Sequence, residues 1–207
     1  MLFTKRWMKI AVIVVAVLVA ISFIIATAAS GAPLSQSPAS VVRVDEATAK
    51  SRFVSMLNAL AVDNRPSSHT GYKRTLFKLW VDADHDGCNT RAEVLMSESS
   101  RATTHSSTCT IKTGKWWSAY DNRAITSASS LDIDHFVPLS EAWKSGAFKW
   151  SSSRRQAFAN DLGYGPSLIA VSASTNRSKG DLDPANWLPP YRGFWCTYAA
   201  TWVSVKY

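Results

Sequence analysis

Apolar residues recur at two different periods along this chain, and each change of period marks a new element. Phe53, Leu57 and Leu60, with Val54 and Ala61 beside them, recur at three-to-four spacing, which predicts a helix from Asp45 to about Ala61. Asp63–Ser68 reads as a loop, and Tyr72–Trp80 as an apolar-aromatic stretch that forms a short helix before an Asp-rich loop. A helix is predicted over Thr90–Ser97. Trp116–Tyr120 and Ala124–Thr126, joined by Asp121-Asn122, predict a hairpin. Strands follow at 131–135 and 168–173, with helical stretches at 140–148 and 152–161 between them. Residues 176–187 read as a capped helix or turn, and Tyr198, Trp202 and Val205 mark a final helix. No internal repeat is visible, and the mixture defines an α+β class.

The first thirty residues stand outside this pattern. Lys5, Arg6 and Lys9 precede an uncharged apolar run from Ile10 to about Ala29, and Ala26-Thr27-Ala28 and Ser30-Gly31-Ala32 offer small-x-small cleavage sites. Residues 1–29 therefore read as a secretory signal peptide. The run also approaches the roughly 20 residues that span a bilayer, so an uncleaved membrane anchor with the domain outside is the alternative. Residues 30–44 read as a flexible linker and 45–207 as one domain. The expected localisation is secreted.

Net charge is +8, and removing Lys5, Arg6 and Lys9 leaves 20 basic against 15 acidic residues, or +5. That suits a polyanionic partner without requiring one. Cys88, Cys109 and Cys196 suit an oxidising compartment. Cys88 and Cys109 enclose a Ser/Thr-rich loop and are expected to pair, which leaves Cys196 over. Nine tryptophans read as core and rim packing, with Trp143 and Trp187 as candidates for stacking on nucleobases.

Asp82-Ala83-Asp84-His85-Asp86-Gly87, followed after five residues by Glu93, fits the calcium-loop pattern D-x-D-x-D-G-x5-E. Asp82, Asp84, Asp86 and Glu93 would supply carboxylates, and Cys88 a backbone carbonyl. Asn89 stands where an apolar residue is usual. The alternative is an Asp/Gly turn capping the next helix at Asn89 or Thr90. His69, His85 and His105 lack zinc-like spacing.

The densest chemistry lies in two segments. Leu131-Asp132-Ile133-Asp134-His135-Phe136-Val137-Pro138 ends a strand with a carboxylate beside a histidine. Asn176-Arg177-Ser178-Lys179-Gly180-Asp181 follows the second strand. Phosphodiester hydrolysis needs a base for water, and neutral imidazole serves near pH 7. It also needs charge stabilisation at the leaving oxygen, which a divalent cation on hard oxygen ligands supplies. His135 is the candidate base. Asp134 and Asn176, with Asp132 as a second ligand or supporting partner, are the candidate Mg²⁺ or Mn²⁺ ligands. Arg177 and Lys179, at the opening of a helix, are the candidate phosphate contacts. A straight strand points Asp134 and His135 to opposite faces, so a shared site requires the strand to end or bend there, with Pro138 placed to help.

The segments Asp134-His135-x-x-Pro138 and Asn176-Arg177-x-Lys179-Gly180 resemble the two ends of the HNH, or ββα-metal, nuclease motif. The longer frame, with Trp80-x-Asp82-x-Asp84-x-Asp86-Gly87-Cys88-x-Thr90-Arg91 ahead of it, resembles secreted HNH proteins related to the C-terminal domain of GmrSD restriction enzymes. The resemblance covers roughly residues 50–207. It implies a ββα-metal core at about 131–187, extended by an N-terminal helix and the Asp-rich loop. The motif's middle Asn falls near Ser167, and a serine stands there instead. The implied activity is a metal-dependent endonuclease acting on DNA, with RNA as a further candidate and no stable protein partner. Structural Ca²⁺ in the acidic loop is the second expected ion. Two alternatives stay open: a non-catalytic calcium-stabilised binding module, and a phosphodiesterase for other substrates.

Overall fold

The computed structural model describes residues 46–62 and 69–207. The expected signal or anchor segment, the linker and the 63–68 loop lie outside those residues. The chain is mixed α and β, as its pattern predicts. Helices α1 (Glu46–Ala59), α2 (Thr90–Glu98), α3 (Leu139–Lys144), α4 (Ser152–Ala159), α5 (Ala173–Lys179) and α6 (Trp195–Lys206) surround strands β1 (Thr104–His105), β2 (Ile111–Ser118), β3 (Arg123–Ser127), β4 (Leu131–His135) and β5 (Leu168–Ser172). No helix among the described residues is long and apolar enough to cross a membrane. Tyr72–Trp80 keeps only a 3-10 turn at Arg74–Leu76, because its aromatic side chains are spent on the core rather than on one helical face.

Two antiparallel sheets form, ordered β1-β2-β3 and β4-β5. In β2, Ile111, Gly114, Trp116 and Ser118 turn inward while Lys115 and Trp117 turn out. Trp116 is fully buried and donates its indole N–H to the Leu95 carbonyl at 2.7 Å, which ties β2 to α2. A Cβ at position 114 would lie 2.6 Å from both the Trp116 ring and the Ser99 hydroxyl, so only glycine fits there. The Cys88–Cys109 disulfide forms as expected and joins the start of α2 to the turn before β2. Closing such a loop stabilises by about 3 kcal/mol. Cys196 is free and half-buried.

The β4–β5 ribbon divides the core by strict alternation. Leu131, Ile133, Leu168 and Ala170 pack with Val94, Leu95, Ile111 and Trp116 on one side. Val171 faces the other side with Tyr120, Phe136, Trp143, Tyr198 and Trp202. Trp143 and Trp187 both pack against core aromatics. The outward N–H groups of β5 are met by side chains: the Glu98 carboxylate accepts from Ala170 at 3.0 Å, and the Ser118 hydroxyl from Ser172 at 3.0 Å.

Glu98 sits beside an apolar cleft that includes Trp117, Leu162, Ile169 and Phe194. Burial raises its carboxyl from the ordinary 4.5 to about 7, only partly offset by the Ala170 N–H. The folded protein keeps this proton up to about pH 7, whereas the unfolded chain releases it near 4.5. The unfolded state binds fewer protons in that window, so stability declines as pH rises through it. Glu98→Gln, which can still accept from Ala170, should flatten this decline and raise the melting temperature at pH 8. Identical pH–stability curves for variant and wild type would refute the assignment.

Candidate active site

β4 carries the site because it is pleated. It stays regular to its last residue, with Asp134 paired to Ile169 and His135 to Leu168. Asp132 and Asp134 therefore share one face, and His135 points to the other. The structure brings Asp132, Asp134, Asn176, Arg177 and Lys179 together. It does not bring His135 to them.

The helix that meets this face begins at Ala173, three residues earlier than the sequence pattern indicated, and ends at Lys179. Asn176 is in its middle, and Arg177 and Lys179 lie in its last turn. The expectation that these two cations sit at a helix opening is corrected: the dipole at a C-terminal turn favours the cations themselves, not a phosphate. Gly180, with φ 52°, ends the helix by returning its N–H to the Asn176 carbonyl at 2.9 Å.

Lys179 has 0% exposure. Its Nζ donates to Asp134 Oδ2 at 2.6 Å and to the His135 carbonyl at 3.0 Å, and it lies 5.9 Å from the Trp202 ring. Its expected phosphate contact is therefore replaced by an internal ion pair. Tyr120 donates its hydroxyl to the same Asp134 Oδ2 at 2.5 Å. Burial pushes the Asp134 carboxyl up and the Lys179 amine down, while their mutual attraction works against both shifts. Oδ2 accepts from two donors at once, which fits an ionised carboxylate. Asp134 Oδ1 accepts from no described residue.

Asp132 is more open, its side chain 29% exposed. Its Oδ2 accepts from Asn176 Nδ2 and from Arg177 Nε, each at 3.3 Å. Arg177 is otherwise exposed. Hard oxygens of Asp132, Asp134 and Asn176, with an exposed guanidinium beside them, suit a hard cation that keeps several waters.

His135 is 5% exposed. Its Nε2 lies 2.9 Å from the Ala159 carbonyl, and its ring stacks on Trp80 at 5.6 Å. A carbonyl only accepts, so Nε2 carries the proton and Nδ1 presents the lone pair. Burial lowers the imidazole from 6.5 to about 4, which keeps it neutral at pH 7. Trp80 holds this position with φ 54°, in the left-handed region that non-glycine residues seldom occupy. Tyr120, Trp80 and Ala159 escaped sequence reasoning, since their partners lie 14, 55 and 24 residues away and no local pattern joins them.

The acidic loop forms a separate cluster. Carboxylate oxygens of Asp82, Asp84 and Asp86 lie within 4.8 Å of one another. Buried Asp82 Oδ1 and Glu93 Oε2 have no hydrogen-bond partner among the described residues. Glu93 is raised by burial and then by Asp84, Asp86 and Asp82. Uncompensated acids with orphaned oxygens are what a cation would relieve. Asn89 caps α2 through the Ala92 N–H at 3.1 Å, so the helix start and the acidic cluster coexist.

Strand, strand and helix thus meet at an acidic and amide face. Residues 90–206 match the family described as GmrSD restriction endonucleases, C-terminal domain, and the chain belongs to that family. It is also 43% identical over 171 residues to an "Uncharacterized secreted protein" of Arthroderma benhamiae (strain ATCC MYA-4681 / CBS 112371), covering 82% of this chain and 81% of the relative. No solved structure matches. The family match spans α2 to α6 and leaves Asp82, Asp84 and Asp86 just ahead of it.

Removing one partner of a buried ion pair leaves an uncompensated charge and typically costs about 3–5 kcal/mol. Lys179→Ala should show that loss in urea unfolding, whereas Arg177→Ala should change stability by less than about 1 kcal/mol. Equal effects would mean that Lys179 is not the internal partner of Asp134.

Proposed function

We propose that this chain is a metal-dependent phosphodiester hydrolase acting on nucleic acid, DNA first, and that β4, β5 and α5 are its strand–strand–helix metal-binding unit. The observation that carries this reading is the face on which Asp132, Asp134 and Asn176 stand together, with both donors to Asp134 among the described residues falling on Oδ2. Asp132, Asp134 and Asn176 would hold Mg²⁺ or Mn²⁺. When bound, the ion would offset charge on the phosphate and the leaving oxygen.

The protein's own residues divide the remaining work. Lys179 and Tyr120 keep Asp134 ionised and fixed through Oδ2. Arg177, which reaches Asp132 in the absence of substrate, is the exposed cation for a phosphate oxygen. His135, neutral and protonated at Nε2, takes a proton from water at Nδ1. Because His135 leaves β4 on the face opposite the acids, water must reach Nδ1 around the end of the strand.

A second reading has its own support. The burial of His135 under Trp80 and the closure of Lys179 onto Asp134 favour a non-catalytic, cation-stabilised binding module. Incubating the mature protein with plasmid DNA, with and without Mg²⁺ or Mn²⁺, separates the two. Hydrolysis should need the metal, and His135→Ala should lose about 10²–10⁴-fold in rate while still binding DNA. Activity of His135→Ala within twofold of wild type would remove the base assignment. Asn176→Ala should raise the metal concentration needed. Wild-type protein that binds DNA without cutting it would favour the module.

The acidic loop is proposed as a structural Ca²⁺ site. An ion that binds only the folded form stabilises it by about 2.7 kcal/mol at a hundredfold excess over Kd. Calcium should raise the melting temperature without supporting cleavage, and Asp84→Ala with Glu93→Ala should abolish that rise. A melting temperature unmoved by EDTA and by calcium would leave the loop an ordinary turn.

A further inference from the structure

A cleft of about 450 Å³ opens between the last turn of α2, the outer edge of β5 and the start of α6. Its walls are apolar: Trp117 from β2, Leu162 from the loop before β5, Ile169 from β5 and Phe194 ahead of α6. That size falls in the range of small-molecule pockets. Trp117 and Leu162 remain 58% and 44% exposed, so the rim shows two large apolar side chains to solvent. Single apolar residues on a surface are ordinary, but these two border a concavity. None of the lining residues is a proposed metal ligand, phosphate contact or base.

The charged groups of this cleft carry one sign. Glu98 and Asp161 line it, and no lysine, arginine or histidine does. The chain as a whole has 23 basic against 15 acidic residues, so the cleft reverses the overall balance. The two acids differ in what they have left to offer. Asp161 is occupied: Oδ1 accepts from the Gly163 and Tyr164 N–H groups at 3.0 and 3.2 Å, and Oδ2 from the Ser167 hydroxyl at 2.6 Å. Glu98 accepts from the Ala170 N–H at Oε2, at 3.0 Å, and no described residue donates to Oε1. Glu98 as a whole residue is exposed, so a ligand can reach it, while its carboxyl lies against the β5 edge among apolar neighbours. Burial raises that carboxyl to about 7, and no neighbouring cation offsets the rise. A carboxylate in such surroundings is completed by a positive charge.

We propose that this cleft binds a small apolar cation, an aromatic amine whose ring lies against Trp117, Leu162 and Phe194 and whose ammonium meets Glu98. The Trp117 ring also offers its face to the cation. A hard metal ion does not suit the place, because one free carboxylate among apolar walls supplies too few oxygen ligands. An added peptide strand does not suit it either, because Glu98 already takes the Ala170 N–H that such a strand would use. The proposal stands apart from the nuclease reading and survives its failure.

The test is calorimetric titration of the full mature chain at pH 8, where Glu98 is ionised. The probe is naphthylethylammonium, with naphthylethanol as its neutral and naphthylacetate as its anionic counterpart. The ammonium should bind one to one and about tenfold more tightly than the alcohol, as a charge-assisted hydrogen bond provides, and the carboxylate should not bind. Glu98→Gln keeps an acceptor for Ala170 and should bring the ammonium down to the affinity of the alcohol, with the alcohol itself changed by less than about twofold. Trp117→Ala should weaken both. In ¹⁵N spectra, the indole N–H resonance that disappears in Trp117→Phe should move as the ammonium is added. Mg²⁺ or Ca²⁺ at constant ionic strength should leave the titration unchanged, which separates this cleft from the acidic groups elsewhere in the chain. No saturable binding, equal affinity for ammonium and alcohol, a Glu98→Gln variant that keeps their difference, an unmoved Trp117 resonance or displacement by the metal ions would each overturn the proposal. So would self-association of the mature chain that Trp117→Ala abolishes, since the cleft would then belong to a second copy.

Discussion

The ion pair between Lys179 and Asp134 fixes more of this structure than any other contact. It joins residues 45 apart, the last turn of α5 and the penultimate position of β4. A fully buried ammonium is tolerable only where its donors are satisfied, and Lys179 meets a carboxylate, a carbonyl and an aromatic face. Those three partners allow one placement of α5 against the ribbon. That placement sets Asn176 over Asp132 and Arg177 beside it. The second Lys179 bond, to the His135 carbonyl, pins the end of β4 from the same side. A pair that is poor evidence for net stability is thus good evidence for specificity, because sliding α5 by one residue would strand both charges in the core.

The pleat of β4 then decides which groups cooperate directly. Acids and amide gather on the aromatic side with Tyr120 and Tyr198, where burial pushes both phenols upward and Tyr120 donates to Asp134. The imidazole gathers on the opposite side with Trp80 and the α2–β2 half of the core. Two clusters of different character therefore lie back to back across a single strand, one closed by charge and the other by carbonyl and ring.

Much of this was legible in the sequence. Alternation and turn residues gave β4 and β5 almost to the residue, and the Cys88–Cys109 link followed from the loop it closes. The start of α5 was misplaced because Ala173-Ser174-Thr175 carries no apolar period, and Ser172 and Thr175 settle their hydroxyls on each other and on Asp121. The burial of Lys179 could not be read at all: lysine is rarely internal, and only the fold shows that Asp134 waits for it. The seat of His135 was hidden for a similar reason. Its parts, at 80, 135 and 159, are brought together by chain reversals rather than by spacing.

The two side-chain caps on β5 have a consequence for how this molecule behaves among its copies. A two-stranded ribbon has two free edges, and an open edge invites another chain to add a strand. Glu98 and Ser118 take the outward N–H groups of Ala170 and Ser172, so this stretch of the β5 edge keeps no donor for an incoming strand. The ribbon is held at its smallest size by side chains contributed from α2 and β2. Copies of the molecule therefore find no open β5 edge to extend, because Ser118, Ala170 and Ser172 are buried there.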